Sequence, residues 1–504
     1  MTTHGPLFAL GRGAPKSPPD LLPVRARPIA DAVLLTNPFG DWTFVERDEF
    51  AALTRGELEP GSPLHEKLRA KNFLVSTLDA AKEAERIARK KRFLDYGPNL
   101  HLCIVTLRCN ETCVYCHASR ADMAATNTDM TPEIGERMVD FMLQSTSPAV
   151  TLEFQGGEPL VNFPVMKHVI EYALVKNRAY GKQLEFTMVS NLSLMDDEKL
   201  AYLLDRKVQI CTSIDGPEPL HIKQRVLSTG NSHRITAQWI ERINKGYIDL
   251  GLDPTLYHVE ALLTTTREAL RYPREIVDTY ANLGCRAIFL RPIDPFGFAD
   301  KTARVVEYDR SAYNDFYRAA VEHILSKNKA GEQLLERYAA IFLTKILGDD
   351  DPNFLDIRSP CGSAIGALAY NYDGRIFSSD EGRMIHEMGD SFFQLGDVRT
   401  STYREIMKHP TVRALVLASI REVQPDCVNC TYSNYCGVQP EHSYRVLGSI
   451  FGRMRESTTC AVHKGIQDFL FEKLRQDDPS TIEILRRWMT VRPRSHFLHE
   501  SAAS

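Results

Sequence analysis

Between residues 99 and about 300 six short apolar runs, LHLCIVTL, AVTLEF, LEFTMV, VQICTSI, VEALLTT and AIFLRPI, alternate with segments of helical character. Apolar runs of strand length that alternate with helices read as βαβ units. The pattern therefore predicts an α/β fold with a parallel sheet or partial barrel. The helix between the first two runs, TPEIGERMVDFMLQ, carries its own start signal, with Thr131 as cap and Pro132 at the first helical position. Function in such folds sits on the loops at the C-terminal strand ends, so the residues after each run are the ones to read.

The chain has 504 residues, too many for one hydrophobic core. Residues 1–20, rich in Pro, Gly and Ser, read as a disordered tail. Residues 21–92 read as a small α+β unit: AVLLTN and WTFVE flank the turn PFGD as a hairpin, DEFAALTRG is a short helix stopped at Gly56, and PLHEKLRAKNFLV supplies another. DAAKEAERIARKKRF is a basic helical connector with a solvated face. The barrel segment spans 97–305, a helical bridge 306–349, a Cys- and Gly-bearing segment of little periodicity 350–470, and a C-terminal helix and tail 471–504. A net charge of −4 argues against a nucleic-acid partner. No secretory signal is visible, and no run approaches the ~18 apolar residues that span a bilayer. A cytoplasmic protein is expected, in which eleven cysteines are better metal ligands or redox groups than disulfide partners.

The first strand runs into TLRCNETCVYCHASR, which places Cys109, Cys113 and Cys116 on one loop at spacing C-x3-C-x2-C. Three thiolates hold three corners of a [4Fe–4S] cube and leave one iron open for a small molecule, whereas a structural cluster or zinc site closes its shell with four ligands. The alternative is a zinc knuckle that borrows His117, awkwardly placed beside Cys116. A second group, CVNCTYSNYC, sets Cys427, Cys430 and Cys436 at C-x2-C-x5-C, with Cys460 beyond. Cys103, Cys211 and Cys285 lie in apolar runs and read as small core residues.

C-x3-C-x-(aromatic)-C, with Tyr115 as the aromatic, resembles the signature of the radical S-adenosylmethionine (SAM) superfamily. The resemblance implies a partial (β/α)6 barrel. It further implies that the open iron chelates SAM, whose reductive cleavage gives methionine and a 5′-deoxyadenosyl radical that abstracts hydrogen from the substrate. TLEFQGGEP, one βα unit later, matches the family's Gly-Gly-Glu motif: Gln155, Gly156, Gly157 and Glu158 would face the methionine ammonium. MVSNLS offers Ser190 and Asn191 for the ribose. TSIDGPEPLHIKQR is similar to a segment of the peptide- and protein-modifying branch, with Ser213 near the ribose and Arg225 near the SAM carboxylate.

The C-terminal cysteines resemble the SPASM extension of peptide-modifying members, which holds two auxiliary [4Fe–4S] clusters on seven cysteines. Ser379 stands where the second should be, and Gln439 or Pro440 where the sixth should be. Both losses strike the inner cluster. The resemblance thus implies one auxiliary cluster on Cys427, Cys430, Cys436 and Cys460, an inner cluster that is absent, and an orphaned Cys361; a zinc site on the same four thiols is the alternative. Asp380 follows the lost cysteine, at the point where related enzymes place a substrate-facing base. Arg291 and Asp294 in FLRPIDP either line the site or belong to an ordinary loop.

The N-terminal unit is similar to the winged-helix-like element that binds a precursor peptide by β-augmentation. The order of motifs looks most like the maturases of the His-Xaa-Ser peptide system. That resemblance implies a ribosomally made precursor peptide as substrate, a reductant such as flavodoxin or ferredoxin, and a second radical SAM maturase as possible partner, with an oxidative cross-link or related modification as outcome. Two other functions remain open from the sequence: an anaerobic, formylglycine-generating sulfatase maturase, and a zinc-stapled peptide-binding scaffold.

Overall fold

In the computed structural model residues 20–500 are described, so the tail expected over 1–20 lies, apart from Asp20, outside the described residues. Three antiparallel strands come first, β1 (Arg25–Ile29), β2 (Ala32–Thr36) and β3 (Trp42–Val45), in that spatial order. The β2–β3 turn is built by Asn37, whose side-chain carbonyl accepts the N–H groups of Phe39, Gly40 and Asp41 at 2.9 to 3.0 Å. Strand alternation splits this sheet between two cores. Val33, Leu35 and Val45 pack on Leu68, Phe73 and Leu74 of the unit's own helical segment, while Leu34, Trp42 and Phe44 face the main core.

The next strands are β4 (Leu100–Thr106), β5 (Glu111–Cys113), β6 (Ala149–Gly156), β7 (Gln183–Ser190), β8 (Gln209–Ser213), β9 (Arg225–Leu227), β10 (Glu260–Thr264), β11 (Ala287–Arg291) and β12 (Leu335–Glu336). The six apolar runs are β4, β6, β7, β8, β10 and β11, neighbours in that order and parallel throughout. Thr131 accepts the Ile134 N–H and caps the helix Pro132–Met142, as its sequence predicts. β12 extends the sheet beyond β11. At the other edge the segment of little periodicity contributes β13 (Ala367–Tyr370), parallel to β4, followed by antiparallel β14 (Arg375–Phe377) and β15 (Gln394–Asp397). A final short strand, β16 (Leu498–His499), pairs with the start of β7.

Alternation along the barrel strands divides them by polarity. Val150, Leu152 and Phe154 of β6, Leu184, Phe186 and Met188 of β7, and Ile288 and Leu290 of β11 point outward into the core. Their neighbours Glu153, Gln155, Glu185, Thr187 and Arg291 point inward and line a cavity. The barrel is thus apolar outside, where helices cover it, and polar within. Cys103 and Cys285 are core residues, as expected; Cys211 is not, because on β8 it falls on the inward face and lines the cavity. Among the described residues no helix is long and apolar enough to cross a membrane.

Candidate active site

One cavity of about 960 Å³ occupies the barrel interior and opens past the C-terminal strand ends. Cys109, Cys113, Cys116, Gln155, Gly156, Gly157, Glu158, Ser190, Asn191, Ser213, Arg225 and Asp380 all line it. Eleven come from the strand ends of β4, β6, β7 and β8 and the loops beyond, and Asp380 opens the helix Asp380–Glu387 across the cavity. Of the cavity residues expected from sequence only Tyr115 stands behind the wall, nearly fully buried. Arg291 and Asp294, for which an ordinary loop was the alternative, also line the cavity, 3.9 Å apart.

The cysteine loop is held from three sides. β5 pairs with β9 as a two-stranded ribbon that sets Cys113 opposite Arg225. Gly157 N–H donates to the Thr106 carbonyl and Glu158 N–H to the Arg108 carbonyl, both at 2.8 Å. On the third side Phe298 N–H donates to the Cys116 carbonyl at 2.7 Å. The two glycines are required by this packing. A Cβ on Gly156 (φ +153°) would lie 2.1 Å from the Thr106 carbonyl oxygen, and one on Gly157 only 2.3 Å from that of Leu107. Their first duty is to let β6 pass against the cysteine loop; any approach of a ligand comes in addition.

Electrostatics around the thiols is set by a buried network centred on Asp215, to which the sequence reading gave no role. Asp215, fully buried, accepts the Tyr115 hydroxyl at 2.6 and 2.7 Å, Gln224 Nε2 at 2.9 Å and Arg225 Nε at 3.2 Å. Arg225 lies over the Tyr115 ring at 5.2 Å and reaches 3.8 Å from Cys113 Sγ and 3.9 Å from Glu111. Burial is the largest influence on Arg225 and opposes its charge, but Asp215, Tyr115, Cys113 and Glu111 together outweigh it and hold the guanidinium well above its ordinary value. Burial pushes the Cys109 and Cys113 thiols up, and for Cys113 Arg225 is the main counterweight. One cation for several buried thiols leaves them short of positive charge, which is the condition a metal group satisfies. Glu111 also faces the cavity with one carboxylate oxygen unpartnered, and burial raises it to about 7. His117 is depressed to about 4 by burial and its Nε2 is likewise unpartnered.

Glu158 accepts three bonds, from the Ser190 hydroxyl (2.7 Å), Asn191 N–H (2.8 Å) and Leu160 N–H (3.0 Å). Burial nevertheless raises it to about 7. Asn191 donates to Asn110 at 3.1 Å and stands 3.9 Å from Cys109 Sγ. Asp380 accepts Arg383 Nε at 2.8 Å, and Arg383 is buried. Further down, Glu153 accepts Gln155 and Thr187. Residues 488–494 close the floor, where Arg492 donates to Gln209 (2.5 Å) and Arg494 to Glu185. Glu111, Asp215, Glu153 and this floor escaped the sequence reading because their roles depend on partners brought in from elsewhere in the chain.

Cys427, Cys430, Cys436 and Cys460 lie apart, around a separate pocket of about 40 Å³. Among the described residues no group of three or more His, Cys, Asp or Glu side chains is arranged to hold a single metal ion. Where the inner auxiliary cluster would sit, Ser379 caps the helix Asp380–Glu387 by accepting the Gly382 N–H. Glu441, buried, accepts the hydroxyls of Ser363, Ser378 and Ser379 at 2.9 to 3.2 Å. Cys361 is buried and free, and burial, then Glu441, pushes its thiol up to about 11.

Residues 103–264 match the radical SAM superfamily. An uncharacterized protein of Methanocaldococcus jannaschii is 28% identical over 23% of this chain and 39% of its own length. The radical SAM cyclopropyl synthase TigE of Paramaledivibacter caminithermalis is 21% identical over 43% and 46%. The chain thus spans less than half the length of these two relatives. A serine-type anaerobic sulfatase-maturating enzyme of Bacteroides thetaiotaomicron is 21% identical over 65% of this chain and 78% of its own. Among solved structures, anSMEcpe with bound AdoMet and the Cp18Cys peptide superposes at TM-score 0.61, with 17% identity over 77% of this chain and all of that one. Streptococcus suis SuiB bound to its precursor peptide SuiA superposes at 0.51, with 13% identity over 86% and 98%.

Proposed function

We propose that this chain, whose residues 103–264 match the radical SAM superfamily and whose fold is similar to that of anSMEcpe and SuiB, abstracts hydrogen from a ribosomally made precursor peptide to form an oxidative cross-link or related modification. One observation carries the reading. The three cysteines, the Gly-Gly-Glu turn, the polar ends of β7 and β8, Arg225 and Asp380 converge on a single cavity large enough for a nucleotide and a peptide side chain together.

The donor set fits the groups this reading needs. Cys109, Cys113 and Cys116 would hold a [4Fe–4S] cluster with an open iron. Gln155, Gly156, Gly157, Glu158, Ser190, Asn191, Ser213 and Arg225 would hold SAM, with Tyr115 behind Arg225. When bound and reduced, these groups supply a 5′-deoxyadenosyl radical able to take hydrogen from an unactivated C–H bond. The protein's part is positioning and charge. Asp215 holds the Arg225 guanidinium in place over Tyr115, so a cation faces the site for a carboxylate to meet. Glu158, protonated to about pH 7, ionises more readily beside an arriving ammonium. Asp380, fixed by Arg383 on the opposite wall, is placed to accept the proton that an oxidised substrate gives up. The floor formed by residues 488–494 closes the barrel at the end away from the cysteine loop.

Cys427, Cys430, Cys436 and Cys460 would close one auxiliary [4Fe–4S] cluster. The four thiols line one pocket, a donor set that suits a closed cluster. The N-terminal unit would read the precursor by pairing with a free edge of its sheet, at β1 or β3. Flavodoxin or ferredoxin would supply electrons in the cytoplasm, and a second radical SAM maturase would share the substrate.

Anaerobically reconstituted protein should carry about eight iron atoms per chain, four for each cube, and release 5′-deoxyadenosine when reduced with SAM. Changing Cys109, Cys113 and Cys116 to alanine should abolish that release; a triple variant as active as the parent overturns the proposal. Formylglycine formation is the second reading, supported by the sulfatase-maturating relative's coverage of 65% of this chain. Co-expression with a Ser- or Cys-type sulfatase followed by mass spectrometry separates the two.

A further inference from the structure

The four cysteines of the small pocket come from two elements. Cys427, Cys430 and Cys436 lie on a loop whose only regular pieces are the short turns Pro425–Val428 and Ser433–Tyr435, and Cys460 lies in the first turn of the helix Thr458–Gln476. The N-terminal sheet sits on these same two elements. On the loop side, Arg25 Nε donates to the Val428 carbonyl (2.8 Å) and the Thr36 hydroxyl to that of Thr431 (2.9 Å). In return Asn434 Nδ2 donates to the Asn37 carbonyl (2.8 Å) and the Tyr435 hydroxyl to that of Gly40 (2.9 Å). On the helix side, Asp468 takes two bonds from Arg27 at 2.5 and 2.6 Å, and Phe471 meets Trp42 edge-on at 5.3 Å. Tyr432 stacks on Phe471 at 5.7 Å, so loop and helix meet directly behind the docked sheet.

A ten-residue loop with two turns has little internal structure to fix its shape, and a metal group that gathers its ligands supplies that order as folding free energy. We propose that the group held by Cys427, Cys430, Cys436 and Cys460 is the fastener of the N-terminal unit, tying the loop to the helix so that the two halves of the unit's seat stay in register. The inference rests on the reading that these four thiols hold a cluster. It gives that cluster a task that requires no contact with substrate. The unit that would capture the precursor is then coupled to an oxygen-labile group, while the three-cysteine site is left untouched by its loss.

Hydrogen exchange on the full chain, reconstituted without oxygen, tests this. In Cys430→Ala/Cys436→Ala, exchange over residues 25–45 should rise at least tenfold, with β7 and β8 unchanged and about four iron atoms per chain retained. A second variant keeps every thiol: Asn434→Ala/Tyr435→Phe removes two docking bonds and should raise exchange in the same segment with about eight iron atoms still bound. Unchanged exchange over 25–45 in the cysteine variant, once its auxiliary iron is gone, overturns the proposal, and so does unchanged exchange in the iron-replete second variant. A parent chain whose four thiols bind no metal overturns the cluster reading itself, and the fastener with it.

Discussion

Replacing Gly157 by alanine should empty the three-cysteine site and spare the other. An added Cβ would lie 2.3 Å from the Leu107 carbonyl oxygen, 2.4 Å from that of Arg108 and 2.7 Å from the Arg108 carbonyl carbon. All three belong to the backbone that enters Cys109, so no side chain can swing aside to make room. Ordinary contact requires that backbone to recede by roughly 1 Å. The movement stretches the two bonds that clamp the segments together, from Gly157 N–H to Thr106 and from Glu158 N–H to Arg108. Overpacking of this kind costs about 1–3 kcal/mol, and two lost backbone bonds add roughly 1 kcal/mol each. A displacement of about 1 Å at a positioned group also costs on the order of a hundredfold in rate. Iron should therefore fall from about eight to about four per chain, the auxiliary signal should persist in electron paramagnetic resonance, and SAM cleavage should drop at least ~100-fold. Gly157→Ala with full iron and the parental rate would refute the packing argument, and with it the claim that β6 positions the thiols.

Three further changes probe the network around that loop. Asp215→Asn removes the charge that faces Arg225 inside the protein; breaking a buried pair costs about 3–5 kcal/mol, read as a lowered denaturation midpoint of the metal-free chain, and an unchanged midpoint would show that Arg225 finds its partner elsewhere. Glu158 keeps its proton to about pH 7 when folded but releases it near 4.5 when unfolded, so the folded chain binds more protons between those values and loses up to ~3 kcal/mol as pH rises through them. Denaturation of the parent against Glu158→Gln from pH 4 to 8 should show a shallower slope in the variant, the difference being Glu158's share while Glu111 and Glu381 contribute to both. Asp380→Asn should leave 5′-deoxyadenosine release within about twofold while peptide modification falls at least ~100-fold; equal losses of both would assign Asp380 to structure alone.

The six barrel strands were legible because every second residue of each had to meet a covering helix, which left runs such as TLEF and LEFTMV with an outward apolar row. The same periodicity hid the inward row: Cys211 looks like one more core residue until β8 fixes which face it occupies. β1, with the sequence RARPI, carries too few β-formers to be read as a strand; it pairs because β2 offers an edge and Arg27 finds Asp468. β13 to β15 are three or four residues long, and their state is imposed by β4. At the site, spacing gave the thiols, and the family resemblance gave the Gly-Gly-Glu turn. Neither gave Asp215 a role. Gly216 does adopt φ +115° there, but the carboxylate matters because a tyrosine one hundred residues earlier in the chain donates to it.

The two thiol groups differ in the property that separates exchange from permanence. The three cysteines open onto a large cavity, with unpartnered atoms of Glu111 and His117 near them and a cation on one side. The four line a much smaller pocket, of about 40 Å³. Between them, Ser379, at the position where the SPASM pattern has a cysteine, is taken up in hydrogen bonding. Ser379 both caps a helix and donates to Glu441, and Glu441 is occupied by two further serines. Glu381, raised to about 8 by burial and by Asp356, adds another group whose ionisation this region resists. A site already crowded with carboxyl groups disfavours an anionic thiolate-ligated cube on Coulomb grounds. These side chains form a polar wall between the two groups of thiols, and on it stands Asp380, facing the cavity.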